Sequence, residues 1–291
     1  MKKGTFEIYS GFAQISLLVL IFVFFSLLCI ILQRVQISLC AGMEEQDILR
    51  ITILIQDLTL FILTPLVAQF LLWKDSTTKT LQLTAPHLPV LLLGMAAIVS
   101  VSPLIDLLSI WNQGLHLPES MKAVEQWMIN SEKAAEITTN QLLNTSNWGG
   151  FIMNILIIAI MAGIGEELLF RGILQKILIN WTRNTHLGIL CAAIIFSAIH
   201  FQFFGFFPRM ILGMVLGYLY VWSKSIWVPI IAHALNNALT VTFTPNTFNK
   251  GNEFIETVSG TQNNVWYALA GTIIFVLSMW RIWKYYRAQS V

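Results

Sequence analysis

Long apolar runs dominate this chain, and its polar residues gather in short clusters between them. Runs of about 20 apolar residues, the length that crosses a bilayer as a helix, occupy Gly11–Leu32, Ile51–Trp73, Leu88–Ile110, Trp148 to about Leu169, Leu187–Phe207, Ile226–Phe243 and Val265–Trp283. A shorter and less secure run covers Met210–Trp222. The runs are continuous, not alternating segments of about ten residues, which excludes a β-barrel. Inside lipid a backbone must satisfy its own hydrogen bonds, and helices do so segment by segment. The pattern therefore predicts an all-α, multi-pass integral membrane protein of about eight transmembrane helices around a polar intramembrane cavity. Gly11–Leu32 is longer than a signal-peptide apolar region and lacks a small-residue cleavage site, so it reads as a retained first span.

Between the third and fourth runs, Leu117–Leu143 is too polar to span. Pro118 suits a first helical turn, and Met121, Val124, Met128 and Ala135 recur at roughly helical spacing. Two readings stand: an interfacial or lid-like helix, or a solvated connector. With no repeat or low-complexity tract in view, residues 1–291 read as one membrane domain.

Composition sharpens the picture. Of the 291 residues 56% are hydrophobic and only 11% charged, against roughly a quarter charged in soluble domains. A net charge of +2 spread along the chain points away from nucleic acid. Cys29, Cys40 and Cys191 are unclustered and suit packing better than a disulfide framework. Lys and Arg in the polar segments set orientation. With the N-terminus inside, the inner side receives Lys2, Lys3, Lys74, Lys79, Arg183, Lys224, Arg281, Lys284 and Arg287, while Arg34, Arg50, Lys122, Lys133, Arg209 and Lys250 fall outside, with most acids, including Glu253 and Glu256. Both termini are thus expected in the cytoplasm, the host being the plasma (inner) membrane.

An ionisable side chain in hydrocarbon costs at least about 2.5–3.5 kcal/mol on insertion scales, so each one is a candidate functional residue. Within or beside the runs stand Asp57, Asp106, Glu166, Glu167, Arg171, Lys176, His200 and His233. On a helix, residues four apart are neighbours, so Glu167 pairs with Arg171 while Glu166 is left without a local cation. The same spacing puts Phe196 with His200, and His233 with Asn237. A glutamate, two histidines and an amide converging in a dry cavity are the parts that activate water and stabilise an oxyanion. Imidazole and carboxylate also suit zinc, which leaves open a divalent metal on Glu166, His200 and His233. Counted from the ends of their runs, these residues lie in the cytoplasmic half, with a bend at Gly163 and Gly165 absorbing a mismatch in depth. Asp57 and Asp106 lack the sequence context of membrane aspartyl proteases and read as packing or interfacial residues.

The three motifs, Glu166-Glu167-x-x-x-Arg171, Phe196-x-x-x-His200 and His233-x-x-x-Asn237, together resemble the CPBP family of CAAX proteases and bacteriocin-processing enzymes, also called the Abi family, which includes the type II CAAX prenyl endopeptidases. The resemblance covers residues 148–244 and implies a catalytic core there. It implies that Glu166 activates water with His200, that His233 and Asn237 stabilise the oxyanion, and that Glu167 and Arg171 form a structural ion pair. It further implies an intramembrane endopeptidase acting on a membrane-associated protein or peptide, with a metal requirement left undecided. The alternative is a non-catalytic membrane partner or a bacteriocin self-immunity protein. A transporter fits less well, because no inverted repeat is visible.

Overall fold

A computed structural model describes residues 4–7, 9–145, 147–244 and 265–288. Lys2, Lys3, Lys250, Glu253 and Glu256, used above to orient the chain, lie outside the described residues. Each apolar run is helical: α1 (Gly11–Leu39), α2 (Glu45–Leu72), α3 (Leu88–Gln113), α5 (Trp148–Thr182), α6 (Thr185–Ala198), α7 (Phe206–Ser223), α8 (Trp227–Phe243) and α9 (Val265–Ala288). The segment after α3 is also a helix, α4 (Lys122–Leu143), most of whose residues are exposed. Among the described residues there is no strand.

Among the described residues, six helical stretches are long and apolar enough to cross a membrane: α1, α2, α3, α5, α9 and Phe203–Ser223, which is α7 with the 3-10 turn before it. Of the eight expected spans, the sixth, expected to be short, is in this set. The fifth and seventh are the short ones, α6 with 14 residues and α8 with 17. Those two carry or adjoin the candidate histidines.

The outer faces are apolar, as lipid contact requires. Phe12, Leu20, Phe24, Leu27 and Ile31 are exposed along α1, and Ile273 and Ile274 on α9. The helix that carries the acids, α5, has its close neighbours on glycines. A Cβ at Gly165 would lie 2.6 Å from the Phe61 Cβ of α2, and one at Gly163 would lie 3.1 Å from the Ala234 backbone nitrogen of α8. The expected bend at these glycines is absent: Ala162–Glu167 is regular α-helix, and the irregular turns are π-helical stretches on either side, Ile155–Met161 and Leu168–Gln175. The glycines serve close approach, not bending.

The polar end of the bundle is cross-linked by side chains placed on the sequence as surface groups. Arg50 is buried; it donates through Nε to Asn154 Oδ1 at 3.1 Å and pairs with Asp47 at 2.8 Å. Asn154 in turn donates to the Leu142 carbonyl at 2.7 Å, which ties α4 to α5. Its assignment to a loop is thus corrected: Arg50 lies a turn inside α2 and spends its donors on neighbouring helices.

The glycine contacts give a test. Gly165→Ala forces its new methyl into Phe61 and is expected to lower the melting point in detergent, by the about 1–3 kcal/mol typical of overpacking. Gly114→Ala, at an exposed position whose nearest atom would be 3.5 Å away, should leave it unchanged. Equal melting of the two variants would show that helix approach at Gly165 is not tight.

Candidate active site

The site is built outward from Glu167, which has no solvent exposure. Its Oε1 accepts from Arg171 Nη1 at 2.7 Å and faces His233 Nδ1 at 2.8 Å. The expected ion pair is therefore present, and it has a third member that spacing along one helix could not show. Arg171 is itself 2% exposed, and its Nη2 donates to the Gly213 carbonyl of α7 at 3.1 Å. A buried charge is tolerable only when paired, and both pairings of Glu167 fall on Oε1, while its buried Oε2 has no hydrogen-bond partner among the described residues.

Phe196 explains the aromatic position of its motif. It is almost fully buried, with the Arg171 guanidinium 4.7 Å from its ring centroid. The rings of His200 and His233 stand edge-on to it at 5.1 and 6.0 Å. One phenyl ring thus packs against the cation and both imidazoles.

His200 departs from its expected place. Helix α6 ends at Ala198, and His200 lies in the turn beyond it. Its Nδ1 is 2.8 Å from the Phe196 carbonyl. A carbonyl only accepts, so Nδ1 carries the proton and Nε2 of the neutral ring is left with a lone pair. Phe201 follows with φ 52°, left-handed backbone that a bulky residue rarely adopts. The turn is pinned from both sides. Asn112 of α3 donates to the Phe203 carbonyl at 3.0 Å and accepts from the Phe207 N–H at 2.9 Å. Trp127 of α4 packs on Phe201 and Phe203, with centroids 6.4 and 5.0 Å apart.

Glu166 lines a cavity of about 760 Å³ that is also lined by His200, His233, Asn236 and Asn237. Its Oε2 is 3.9 Å from His233 Nε2. So the two acids divide the histidine: Glu167 holds one nitrogen and Glu166 stands off the other. Asn237 donates to the Ile158 carbonyl at 3.1 Å, within the first π-helical stretch of α5, which ties α8 to the acid-bearing helix.

The cavity runs from Glu166 toward the C-terminal ends of α3 and α8, with Asp106, Thr240 and Tyr267 on its walls. This is the end at which α4 lies. The depth estimate, which placed the site in the opposite half with Lys74, Arg183 and Lys224, is thereby corrected. It took α5 to end near Leu169, whereas α5 continues to Thr182 and leaves Glu166 near its middle. Three cavity residues escaped the sequence reading. Arg209, taken for a loop cation, is on α7 and donates to Gln202 Oε1 at 2.7 Å. Asp106 was taken for a packing residue, and Asn236 was passed over. Asp106 did carry a signal, being an acid inside an apolar run. Asp57 is buried on α2 within electrostatic reach of Glu166.

The metal expectation meets an unfavourable geometry. Among the described residues no three His, Cys, Asp or Glu side chains are grouped so as to hold an ion. The Nδ1 contacts of His233 and His200 leave Nε2 free, as in metal-ligating histidines, but Glu166, His200 and His233 do not form a ready cage.

Residues 148–239 match the family described as type II CAAX prenyl endopeptidase Rce1-like. That stretch holds all three motifs and bears out the resemblance read from them. Two Bacillus subtilis (strain 168) proteins match a similar share of the chain. One is named "Uncharacterized protein YpbD", 32% identical over 92 residues, 30% of this chain and 44% of that protein. The other is named "Putative membrane peptidase YdiL", 31% identical over 87 residues, 30% of this chain and 35% of that protein. The match thus spans less than half the length of either relative. No solved structure matches the chain.

Removing Arg171 tests the buried network. Arg171→Ala leaves Glu167 buried with His233 as its remaining partner, and breaking a buried pair costs about 3–5 kcal/mol. Melting in detergent should fall steeply, and Arg171→Lys, which keeps charge but loses the fork, should fall between. Unchanged melting in the alanine variant would remove Arg171 from the structural role.

Proposed function

We propose that this chain is an intramembrane endopeptidase that hydrolyses a peptide bond of a membrane-associated protein or peptide, with residues 148–244 as its catalytic core. The observation that carries the reading is that Glu166, His200 and His233 open onto one cavity while each histidine has its outer nitrogen set by a fixed partner behind it. His200 Nδ1 donates to the Phe196 carbonyl, which leaves Nε2 as an acceptor. The Glu166 carboxylate is a second acceptor on the same cavity. A water that donates one hydrogen to each has its oxygen lone pair turned toward an incoming carbonyl carbon.

The step balances without a further reagent. The water oxygen bonds to the carbonyl carbon as its proton passes to Glu166, and the carbonyl oxygen becomes an oxyanion. His233, backed by the Glu167 carboxylate, donates from Nε2 to that oxygen; Asn237 adds its second amide hydrogen, the first being given to Ile158. Collapse breaks the C–N bond, and the proton on Glu166 goes to the departing nitrogen. Glu167 then has two tasks, holding Arg171 and fixing His233, much as a buried carboxylate fixes the imidazole of a hydrolase triad.

Both termini are assigned to the cytoplasm, which places the cavity mouth and α4 on the outer face. A cysteine replacing Ser76, in a background lacking Cys40, should react with an impermeant reagent only after the cells are opened. One replacing His116 should react in intact cells. The reverse pattern would invert the topology.

Turnover should follow an order. Glu166→Gln keeps size and hydrogen bonding but removes the base and should abolish cleavage with melting unchanged. His200→Ala should come close to it. Asn237→Ala should lose on the order of 10²–10³-fold, as for one oxyanion donor. Glu167→Gln should lose both stability and turnover. Single-turnover cleavage of membrane-anchored peptides, read by mass spectrometry on purified variants, checks this. Wild-type rates in Glu166→Gln would sink the free-carboxylate mechanism and favour a non-catalytic membrane partner.

A further inference from the structure

The cavity has a second wall that the hydrolytic step does not use. On α3, Val99, Ser102, Asp106 and Ser109 recur three or four residues apart, which puts them on one helical face, and all four line the cavity. Asp106 is the charged member. It is half-buried, and among the described residues no hydrogen bond or ion pair engages its carboxylate. Arg209, also on the cavity, is engaged with Gln202 and lies within reach of Glu132 and Glu166 instead. Pro103, on the same stretch of α3, has no N–H to give to the Val99 carbonyl, so this wall has one more acceptor than a regular helix would show. An unpaired carboxylate in an apolar span is retained against its desolvation cost only where something else repays it.

We propose that Asp106 is a specificity subsite that receives a basic side chain, lysine or arginine, of the peptide substrate. This rests on the peptidase reading for the source of the cation, whereas the subsite itself rests on α3. The opposite wall supplies donors from His233, Asn236 and Asn237, suited to a peptide carbonyl. The α3 wall supplies acceptors, suited to N–H groups and a cation. A peptide lying between them would turn its reacting carbonyl toward α8 and a basic neighbour toward Asp106. Ser102 and Ser109, a turn to either side, provide further oxygen atoms for an ammonium or guanidinium, although Ser102 already donates to the Ile98 carbonyl at 3.3 Å.

The test uses full-length protein in detergent and fluorescent hydrophobic peptides carrying a single lysine at successive positions, each paired with a norleucine peptide of the same length. Binding is measured on Glu166→Gln alone and on Glu166→Gln combined with Asp106→Asn, so that no cleavage is needed. At one register the lysine peptide should bind the single variant more tightly than its norleucine twin, by about tenfold or more. Asp106→Asn should abolish that preference and leave norleucine binding unchanged. Asp106→Lys should reverse it in favour of a glutamate peptide. A preference untouched by Asp106→Asn, or no preference at any register, overturns the subsite. Cleavage kinetics with Asp106→Asn alone separate the two readings: a binding preference that depends on Asp106 without any cleavage by wild type keeps the subsite and fails the peptidase.

Discussion

The arrangement depends on one buried carboxylate oxygen. Glu167 Oε1 meets both Arg171 and His233, and each of those reaches a different part of the fold: Arg171 the Gly213 carbonyl of α7 and the ring of Phe196, His233 the cavity beside Glu166. A charge sealed from solvent is affordable only while its partners stay in place. The cost of exposing Glu167 therefore fixes the relative positions of α5, α7 and α8. The geometry of the candidate site and the helix packing draw on the same contact.

Such crowding needs small residues where helices meet, because lipid supplies no hydrophobic drive between them. Gly163 and Gly165 let α8 and α2 press on the acid-bearing turn from two sides, and Gly213 brings Phe196 and Ala193 against α7. The π-helical stretches that bracket this turn have a related use. Asn237 reaches the Ile158 carbonyl inside the first, and Arg171 and Gln175 project from the second to the Gly213 and Gly217 carbonyls of α7. Irregular backbone here is spent on contacts between helices.

The sequence showed the helices well, since each apolar run became one and the i, i+4 rule found the Glu167–Arg171 pair. It misjudged lengths, because composition marks where a run turns polar and not where the hydrogen bonds stop. Leu169 looked like an end because Arg171 and Lys176 follow, yet both are accommodated by other helices, Arg171 by α7 and Lys176 by the Thr80 carbonyl at 3.2 Å. His200 looked helical because Phe196 stands four residues before it, and the contact survives in the turn through a backbone carbonyl. The His233–Glu167 contact joins residues 66 apart, and no periodicity within one helix reports a partner on another. Arg209 and Asp106 were misread for the same reason: their meaning lies in the cavity between helices.

Under the proposed function, donors and acceptors divide across that cavity as bond cleavage would need, and not only as binding would. Glu166 and His200 Nε2 both accept, so under the proposed mechanism a water between them would be held by its hydrogens and would keep its nucleophilic lone pair. In the proposed step His233, fixed by Glu167, and Asn237 donate to the oxygen that gains charge as the carbonyl becomes tetrahedral. A site made only to hold a peptide would need no difference between ground state and transition state. In the proposed mechanism the donors gain most when the oxyanion forms, which is the condition for lowering a barrier. The carboxylate that fixes His233 is anchored by the same arginine that locks α5 to α7, so the donors are held in place before the substrate arrives and reorganise little when the charge develops.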